Sequence, residues 1–386
     1  MVNLQKPFTY NFMSAFIAVM ILCLSIYPQK FKANPPSPAA FNACWFYPTS
    51  IKGGVNIASD NIGALYLPLT DGKLLSINSI TAEKTWETSL IGDIISVPLI
   101  DQENVYIVTK NSGKLKSEND IEPGFAVLHS LGKNTGITRW LLKFSSSEEV
   151  HLYNSENFIV LIIANGDVYS ISKADGQINW KKTLGSAISS PPLKKTNEII
   201  LSTFDKRITA LSLNSGEPVA RFITPEPPTI VIEDTTGNNF VVGDKKGNLW
   251  SLNKKKKTPN WSFRLGGEIS NVKLTTRGLL ASSLDNFVYL ISEKSGKLIW
   301  KKRLTGRIAA EPQIQDNNFI ITSIDESEAL VIQLSSGRLV TKIFLEDEDF
   351  FTGESLQSKN LFIYTTRKGI FSFSLREEGC KMPEKM

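Results

Sequence analysis

The chain has 386 residues, of which 41% are hydrophobic and 21% charged, and its net charge is +5. This balance is typical of a globular protein, and the length suits one large all-β domain or two ordinary domains. The small charge, without a basic stripe interleaved with aromatic residues, argues against a nucleic-acid partner. His129 and His151 are the only histidines, too few for most histidine-based catalytic or zinc sites.

The first predicted element is an apolar segment near the N-terminus. Residues 12–27 (FMSAFIAVMILCLSIY) contain no charged side chain. This length suits a signal peptide or a short membrane anchor, and Cys23 lacks the preceding small residue of a lipoprotein signal. We interpret residues 1–27 as an uncleaved membrane-anchor helix, with a cleaved signal segment as the alternative. Residues 28–43, which include NPPSPAA, are predicted to form a semi-rigid linker.

A tryptophan position recurs through residues 44–386, at intervals of 41, 54, 40, 40, 41, 39 and 41 residues. Ala220 and Thr341 fill it in two weaker copies. Tryptophan fills the other six: Trp45, Trp86, Trp140, Trp180, Trp261 and Trp300. A period of about forty residues is typical of propellers, and each copy reads as four short strands with glycine-containing turns. The predicted fold is an all-β, eight-bladed β-propeller of four-stranded blades.

The closure of the ring can be predicted from the two ends of this repeat. The last copy has a second strand at 360–366 and a third at 369–375, but no tryptophan strand follows. The orphan tryptophan strand is CWFYPTS, residues 44–50. We predict that it completes the last blade and so removes two exposed sheet edges.

Two cysteines lie at this closure. By alignment with the complete copy that ends at Trp86, Cys44 and Cys380 belong to one tight turn. We predict a disulfide between them, which would stabilise the fold by about 4–5 kcal/mol in the loop-entropy model. It would also place the domain in an oxidising compartment such as the periplasm. Two unrelated free thiols are the alternative.

Two departures from the repeat are candidates for function. Residues 110–124 lengthen one hairpin, and residues 346–351 insert an acidic and aromatic run before an inner strand. In a propeller both connections open on the same face, where functional loops concentrate. We interpret this run as a partner-binding segment, with a solvated loop as the alternative. Its residues are Glu346, Asp347, Glu348, Asp349, Phe350 and Phe351.

Other candidate sites are weaker. His151 is predicted to start an inner strand near the channel, and His129 is predicted to face solvent on a third strand. Neither has a second histidine nearby with which to form a site. The lysine-rich segment NKKKKTPN (253–260) is interpreted as a solvated turn, with a membrane-surface role as the alternative.

The segments SKADGQINW (172–180) and SEKSGKLIW (292–300) resemble the PQQ-type, or tryptophan-docking, propeller repeat. The resemblance covers roughly residues 44–386 and implies the fold more firmly than the function. It allows two branches. One contains quinoprotein dehydrogenases, which bind PQQ and calcium, and the other contains non-catalytic BamB-like scaffolds of the bacterial envelope.

The residue types favour the scaffold branch. The chain has no vicinal cysteine pair, and every tryptophan is assigned once Trp250 is placed in a third strand. We therefore predict a monomeric, non-enzymatic scaffold without a cofactor or metal, which binds envelope or membrane proteins on one propeller face. The resemblance implies outer-membrane protein assembly as its leading role. We expect it in the bacterial periplasm, anchored to the inner membrane, with release into the periplasm after cleavage as the alternative. A quinoprotein-like oxidoreductase and a small-ligand sensor at the channel mouth are the alternatives.

Overall fold

The protein was analysed as a computed structural model, which describes residues 42–48, 57–60, 63–111, 115–117, 120–121, 124–145, 149–308, 311–323, 327–344, 353–357, 361–365 and 369–374. The compact unit to which they belong, Ala39–Met386, is an all-β propeller. Successive antiparallel strands form one sheet and then begin the next. We number the sheets of the propeller 1 to 8 in chain order.

The strands of the first four sheets follow one another directly in the chain. Sheet 1 contains Ala58–Ser59, Ala64–Pro68, Lys73–Asn78 and Lys84–Ser89. Sheet 2 contains Asp93–Ile94, Leu99–Ile100, Asn104–Asn111, Phe125–Gly132 and Thr138–Phe144. Sheet 3 contains Val150–Asn154, Phe158–Ile163, Asp167–Ser172 and Ile178–Thr183. Sheet 4 contains Leu193–Lys194, Glu198–Thr203, Arg207–Ser212 and Pro218–Ile223.

The remaining sheets repeat the same order, and the last one takes its outer strand from the N-terminal end. Sheet 5 contains Pro228–Glu233, Asn239–Asp244, Asn248–Asn253 and Pro259–Arg264. Sheet 6 contains Ile269–Thr275, Gly278–Ser283, Phe287–Ile291 and Leu298–Arg303. Sheet 7 contains Gln313–Gln315, Asn318–Thr322, Glu328–Gln333 and Leu339–Phe344. Sheet 8 contains Gly353–Gln357, Leu361–Thr365, Gly369–Ser374 and Asn42–Pro48.

The described residues thus form seven four-stranded blades, not the eight that the repeat predicted, together with the five-stranded sheet 2. The inner strand of sheet 2 is split into Asp93–Ile94 and Leu99–Ile100, which both pair with Asn104–Asn111. Between the two pieces the Ser96 hydroxyl accepts the Val108 N–H at 2.8 Å, in place of a backbone carbonyl. A side chain therefore replaces one ladder bond and interrupts the strand.

The predicted closure is confirmed. Asn42–Pro48 pairs antiparallel with Gly369–Ser374 as the outer strand of sheet 8. The register shifts between Ala43 and Trp45, so Cys44 lies at a bulge. The same shift precedes the repeat position in the other sheets, as at Ser76 and Ile77 opposite Trp86 and Lys84. The separated strand therefore keeps the geometry of a covalently continuous one.

The core consists of apolar layers between neighbouring sheets. At the closure, Ile370 of sheet 8 forms one buried cluster with Leu65 and Leu75 of sheet 1, and Trp45 packs against it. Equivalent clusters join other neighbours, such as sheets 5 and 6 through Leu249 and others. Because neighbouring sheets cover both faces of each sheet, the second and third strands are buried almost throughout.

Each repeat tryptophan joins its sheet to the next one through one hydrogen bond, which we call the tryptophan latch. The indole Nε1–H donates to a backbone carbonyl in the turn between the third and fourth strands of the following sheet, at 2.8 to 3.2 Å. The pairs are Trp45 with Ser79, Trp86 with Lys133, Trp140 with Lys173, Trp180 with Leu213, Trp261 with Glu293 and Trp300 with Leu334. The indole is thus at least partly buried, and its one donor is satisfied.

A glycine beneath the ring makes this latch possible in most copies. Gly216 has φ +71°, and a Cβ added there would lie 2.7 Å from a carbon of the Trp180 ring. Between sheets 4 and 5 both partners change together, because Ala220 replaces the tryptophan and Lys257, at φ 56°, replaces the glycine. That boundary is held instead by Phe222 and Phe240, whose rings meet edge to face at 5.3 Å.

His129 corrects a prediction, because it does not face solvent. Its side chain is 6% exposed in the third strand of sheet 2, and its Nε2 lies 3.0 Å from the Thr109 hydroxyl. Burial lowers the pKa of His129 to about 4. The ring is therefore neutral at pH 7 and acts as a structural group.

Gly216→Ala should destabilise the protein through both backbone strain and contact with Trp180. We expect the free energy of unfolding to fall by about 2–4 kcal/mol, from left-handed strain plus overpacking. Gly237→Ala is the matched control, because Gly237 also has positive φ (+68°) but a Cβ added to it would meet no atom within 4 Å. Chemical denaturation should show a smaller loss in the control. Equal losses would contradict the glycine–tryptophan contact.

The neutral His129 should make stability depend on pH. Its folded pKa lies below the unfolded value of about 6.5, so the unfolded chain binds more protons between pH 6.5 and 4. The free energy of unfolding should therefore fall as the pH falls, by about 2 kcal/mol from this group at pH 4.5. His129→Gln should lose less stability between pH 7 and pH 4.5 in denaturant titrations. Parallel pH profiles for both proteins would contradict the assignment.

Candidate functional site: the loop face of the propeller

The antiparallel strand order gives the ring two faces. One face carries two kinds of connection: the turns between second and third strands, and the segments that lead from each fourth strand to the next sheet. We call this side the loop face. The turn face carries the connections between first and second and between third and fourth strands. The described residues of one predicted functional departure, 110–124, belong to the loop face.

Exposed apolar side chains mark the loop face. Phe204 and Leu284 occupy equivalent positions in the second-to-third-strand turns of sheets 4 and 6, and they are 49% and 42% exposed. Ile223 and Phe344 end the fourth strands of sheets 4 and 7, and they are 80% and 66% exposed. Such side chains lose contact with water only when another molecule covers them, so this face offers apolar anchor points.

Charged groups surround these anchor points and are held in place. The Lys245 ammonium lies 5.9 Å from the centre of the Phe204 ring. The Glu226 carboxylate pairs with Lys246 at 2.6 Å and with Lys206 at 3.6 Å. Hydrogen bonding from Lys246 lowers the pKa of Glu226, and Lys206 adds to this. Near Phe204 the loop face is therefore a mixed surface of apolar and paired charged groups.

The predicted partner-binding segment, Glu346–Phe351, lies outside the described residues. Its nearest described neighbour on the N-terminal side is Phe344. Within the longer hairpin of sheet 2, Leu115–Ser117 pairs with Asp120–Ile121 as a small antiparallel ribbon. The exposed side chains of sheets 4, 6 and 7 were not identified from the sequence. Their signal was available, since Phe204 and Leu284 stand where sheets 1 and 3 carry Thr70 and Ala164.

His151 lies where the sequence predicted it, in the first strand of sheet 3. Its side chain is half-buried, and burial lowers its pKa, an effect that the nearby Glu149 carboxylate opposes. His129 lies in the third strand of sheet 2, near Thr109 of the second strand. The structure does not bring the two histidines together into a site.

The residues do not fit a quinone and calcium site. The indoles of the six repeat tryptophans are committed to carbonyls of neighbouring sheets, and Trp250 packs between sheets 4 and 5. Among the described residues, no group of three or more His, Cys, Asp or Glu side chains is arranged to hold a metal ion. Calcium requires six to eight oxygen ligands. We therefore derive no chemistry through such a cofactor.

The turn face carries ion pairs that join neighbouring sheets. Lys133 of sheet 2 pairs with Asp60 of sheet 1 at 3.0 Å, and Lys173 of sheet 3 pairs with Asp101 of sheet 2 at 3.2 Å. Burial would raise the pKa of Asp101, but hydrogen bonds from the Glu103 and Asn104 amides and other donors lower it. The carbonyls of the same two lysines accept tryptophan indoles, so one residue makes both inter-sheet contacts.

A polar cavity of about 1190 Å³ opens beside these pairs, between the turns of sheets 1 to 3. It is lined by Asp101, Asn104, Lys133, Asn154 and Glu156, among others. Its lysines are already neutralised by carboxylates, so the cavity carries no clear charge preference for a ligand. Within the part of the chain that the structure describes, no helix is long and apolar enough to cross a membrane.

Comparisons with known proteins agree with this geometry. The sequence profile of the family described as "Outer membrane protein assembly factor BamB" matches residues 124–256. The factor of that name from Yersinia pestis is 20% identical over 303 residues, which cover 74% of this chain and 70% of its own length. The one from Burkholderia pseudomallei (strain K96243) is 22% identical over 267 residues, 62% and 69% of the two chains. The one from Legionella pneumophila (strain Paris) is 22% identical over 208 residues, 48% and 50% of the two chains.

Solved structures show the same fold. The crystal structure of BamB from Moraxella catarrhalis aligns with a TM-score of 0.67 at 14% identity, over 90% of this chain and 100% of that one. The Saccharomyces cerevisiae protein Sqt1 aligns with a TM-score of 0.70 at 11% identity, over 88% and 100%. Similarity at this level of identity shows the fold alone. Together with the family profile and the sequence relatives, it confirms that the chain resembles the tryptophan-repeat propellers of the BamB kind.

Proposed function

We propose that this chain is a non-enzymatic scaffold of the bacterial envelope that binds partner proteins of outer-membrane protein assembly through its loop face. The observation that carries the proposal is the alignment of 303 residues with an outer-membrane protein assembly factor. The poor fit of the residues to a quinone and calcium site favours binding over catalysis. The tether of this scaffold is the apolar segment 12–27, in the inner membrane.

The loop face is suited to this role because its anchor points stand on a rigid support. Phe204, Ile223 and Phe344 project from strand ends or tight turns of sheets that the tryptophan latches join. Binding to such preformed positions costs little ordering of the backbone. The run Glu346–Phe351 adds two aromatic side chains beside four carboxylates. A partner surface with an apolar pocket rimmed by basic residues would complement it.

Replacing Phe350 and Phe351 together with serine should abolish recovery of outer-membrane assembly proteins in a pull-down from crosslinked envelope membranes. The melting temperature should stay nearly unchanged, since exposed loop substitutions rarely cost much stability. The control is Ile178→Ser with Val219→Ser, on exposed outer strands (48% and 54% exposed), which should leave recovery intact. A large fall in the melting temperature would show that the two rings belong to the core, and intact recovery would refute their role.

The compartment proposal depends on a disulfide. Cys44 takes part in a disulfide bond, and the other two cysteines, Cys23 and Cys380, lie outside the described residues. We propose Cys380 as its partner, because sequence alignment places the two in one turn at the closure. The bond would fasten the N-terminal strand covalently to the end of the last sheet. It would also fit the oxidising periplasm.

Peptide mapping of the denatured, unreduced full chain should therefore yield a Cys44–Cys380 crosslinked peptide and one free thiol, at Cys23. Cys380→Ser should lower the free energy of unfolding by about 4–5 kcal/mol in the loop-entropy model, less any strain. The same variant in the presence of reductant serves as the control, because it should match the reduced unsubstituted chain. Three free thiols, or a Cys23–Cys44 peptide, would contradict the pairing.

A further inference from the structure

The chain enters the propeller at its turn face. Asn42, the first residue of the closing strand, pairs with Ser374, the last residue of the third strand of sheet 8. That end of a third strand is the end at which the turn to the fourth strand begins in every other sheet. Fourteen residues, 28–41, separate Asn42 from the apolar segment 12–27. Fully extended, they reach about 45–50 Å.

Two exposed isoleucines lie on this face in the sheets that follow the chain entry. Ile80 in sheet 1 is 61% exposed, and Ile137 in sheet 2 is 69% exposed, both in turns before the fourth strand. At the position of Ile80, sheets 2, 4 and 7 carry polar side chains and sheet 3 carries a small one; these residues are Asn134, Asn214, Ser335 and Ala174. Ile80 also follows Ser79, whose carbonyl holds Trp45 of the closing strand. Ile80 therefore lies beside the point of chain entry, and Ile137 lies in the next sheet along the ring.

Lysines occupy the same turn tips on sheets 5 and 6. Lys255 and Lys294 stand at the position of Ile80, and both are exposed. Lys256 and Lys297 lie beside them in the same two turns. Among the described residues, none of these four ammonium groups lies within 4.0 Å of a carboxylate, whereas the neighbouring Lys254 is paired with Glu233. Four unpaired cations on one side of the turn face make a surface suited to anions.

We infer that the turn face rests on an anionic lipid surface, with Ile80 and Ile137 in the head-group region and Lys255 and Lys294 against lipid phosphates. The inference rests on the tether of the proposed function and adds the orientation of the ring. Chain entry, apolar tips and unpaired lysines all fall on one face, which is the arrangement that interfacial binding uses. The loop face then points away from the membrane.

Amine acylation footprinting of the full chain tests this orientation. The chain is reconstituted in vesicles of phosphatidylcholine alone or with about 30% phosphatidylglycerol as probe conditions, and the rate at each lysine is read by mass spectrometry. Lys255 and Lys294 should be acylated about fivefold more slowly in the anionic vesicles. Lys245 is the matched control, because it is exposed in sheet 5 but on the loop face, and its rate should not change.

Equal rates at Lys255 and Lys294 in the two vesicles would overturn the inference, and so would protection of Lys245. Equal protection of the turn-face lysines in both kinds of vesicle would also overturn it, since the net negative charge of the lipid would then play no part. The tether is tested separately by flotation with phosphatidylcholine vesicles. A chain that does not float there but is still protected by added anionic vesicles would refute the tether and keep the lipid-facing surface.

A pair of double variants tests the apolar tips. Ile80→Ser with Ile137→Ser should reduce the protection of Lys255 and Lys294 by at least about half, because shallow apolar insertion is lost. The matched control is Ile91→Ser with Ile223→Ser, two exposed isoleucines of the loop face (76% and 80%), which should leave protection unchanged. If the control weakens protection as much as the test pair, the face has been assigned wrongly.

Discussion

The ring depends on one interaction, the hydrogen bond from a tryptophan indole to a backbone carbonyl in the next sheet. The indole lies flat over a turn residue in the left-handed conformation, so the ring and the absent Cβ fit each other. At the boundary between sheets 4 and 5 the two residues change together. Where Lys257 takes the glycine position, the preceding sheet carries Ala220, and an edge-to-face pair of phenylalanines supplies the lost apolar contact. The unit that repeats is thus the boundary between two sheets rather than the sheet alone.

The same interaction helps to explain how a closure between two distant parts of the chain is stable. The strand Asn42–Pro48 is held by its ladder with Gly369–Ser374 on one side, and Trp45 docks on Ser79 of sheet 1 on the other. Ala82 occupies the glycine position of that turn at φ 59°, so even a strained residue is tolerated there. The buried cluster around Ile370 adds apolar contact across the boundary. Pulling the strand away would expose two sheet edges and the apolar face of the partly buried Trp45 ring at once.

The repeat period predicted the strand order, the closure and the six tryptophan positions, because each reports on spacing along the chain. It did not predict where the inner strands are interrupted. The inner strand of sheet 2 is divided where the Ser96 hydroxyl accepts the Val108 N–H, and isolated bridges at Ile188 in sheet 4 and Ile308 in sheet 7 mark similar interruptions. His129 was assigned to solvent because Ser or Asn was read at that position in other copies, whereas neighbouring sheets cover both faces of a third strand. The exposed anchor points at Phe204 and Leu284 interrupt no repeat, so spacing alone could not identify them.

In such a fold the residues at the turns are the ones most free to vary, because the residues at the boundaries between sheets are fixed by packing. The turn position that carries Ile80 in sheet 1 carries Lys255 and Lys294 in sheets 5 and 6, without any change in the backbone that supports it. A ring with latched boundaries can therefore present different chemistry on its two faces while its core stays the same. Since the chain enters on one face and the exposed phenylalanines lie on the other, a tether and a docking surface need not compete for the same area. The strand order decides which turns lie on which face of the propeller.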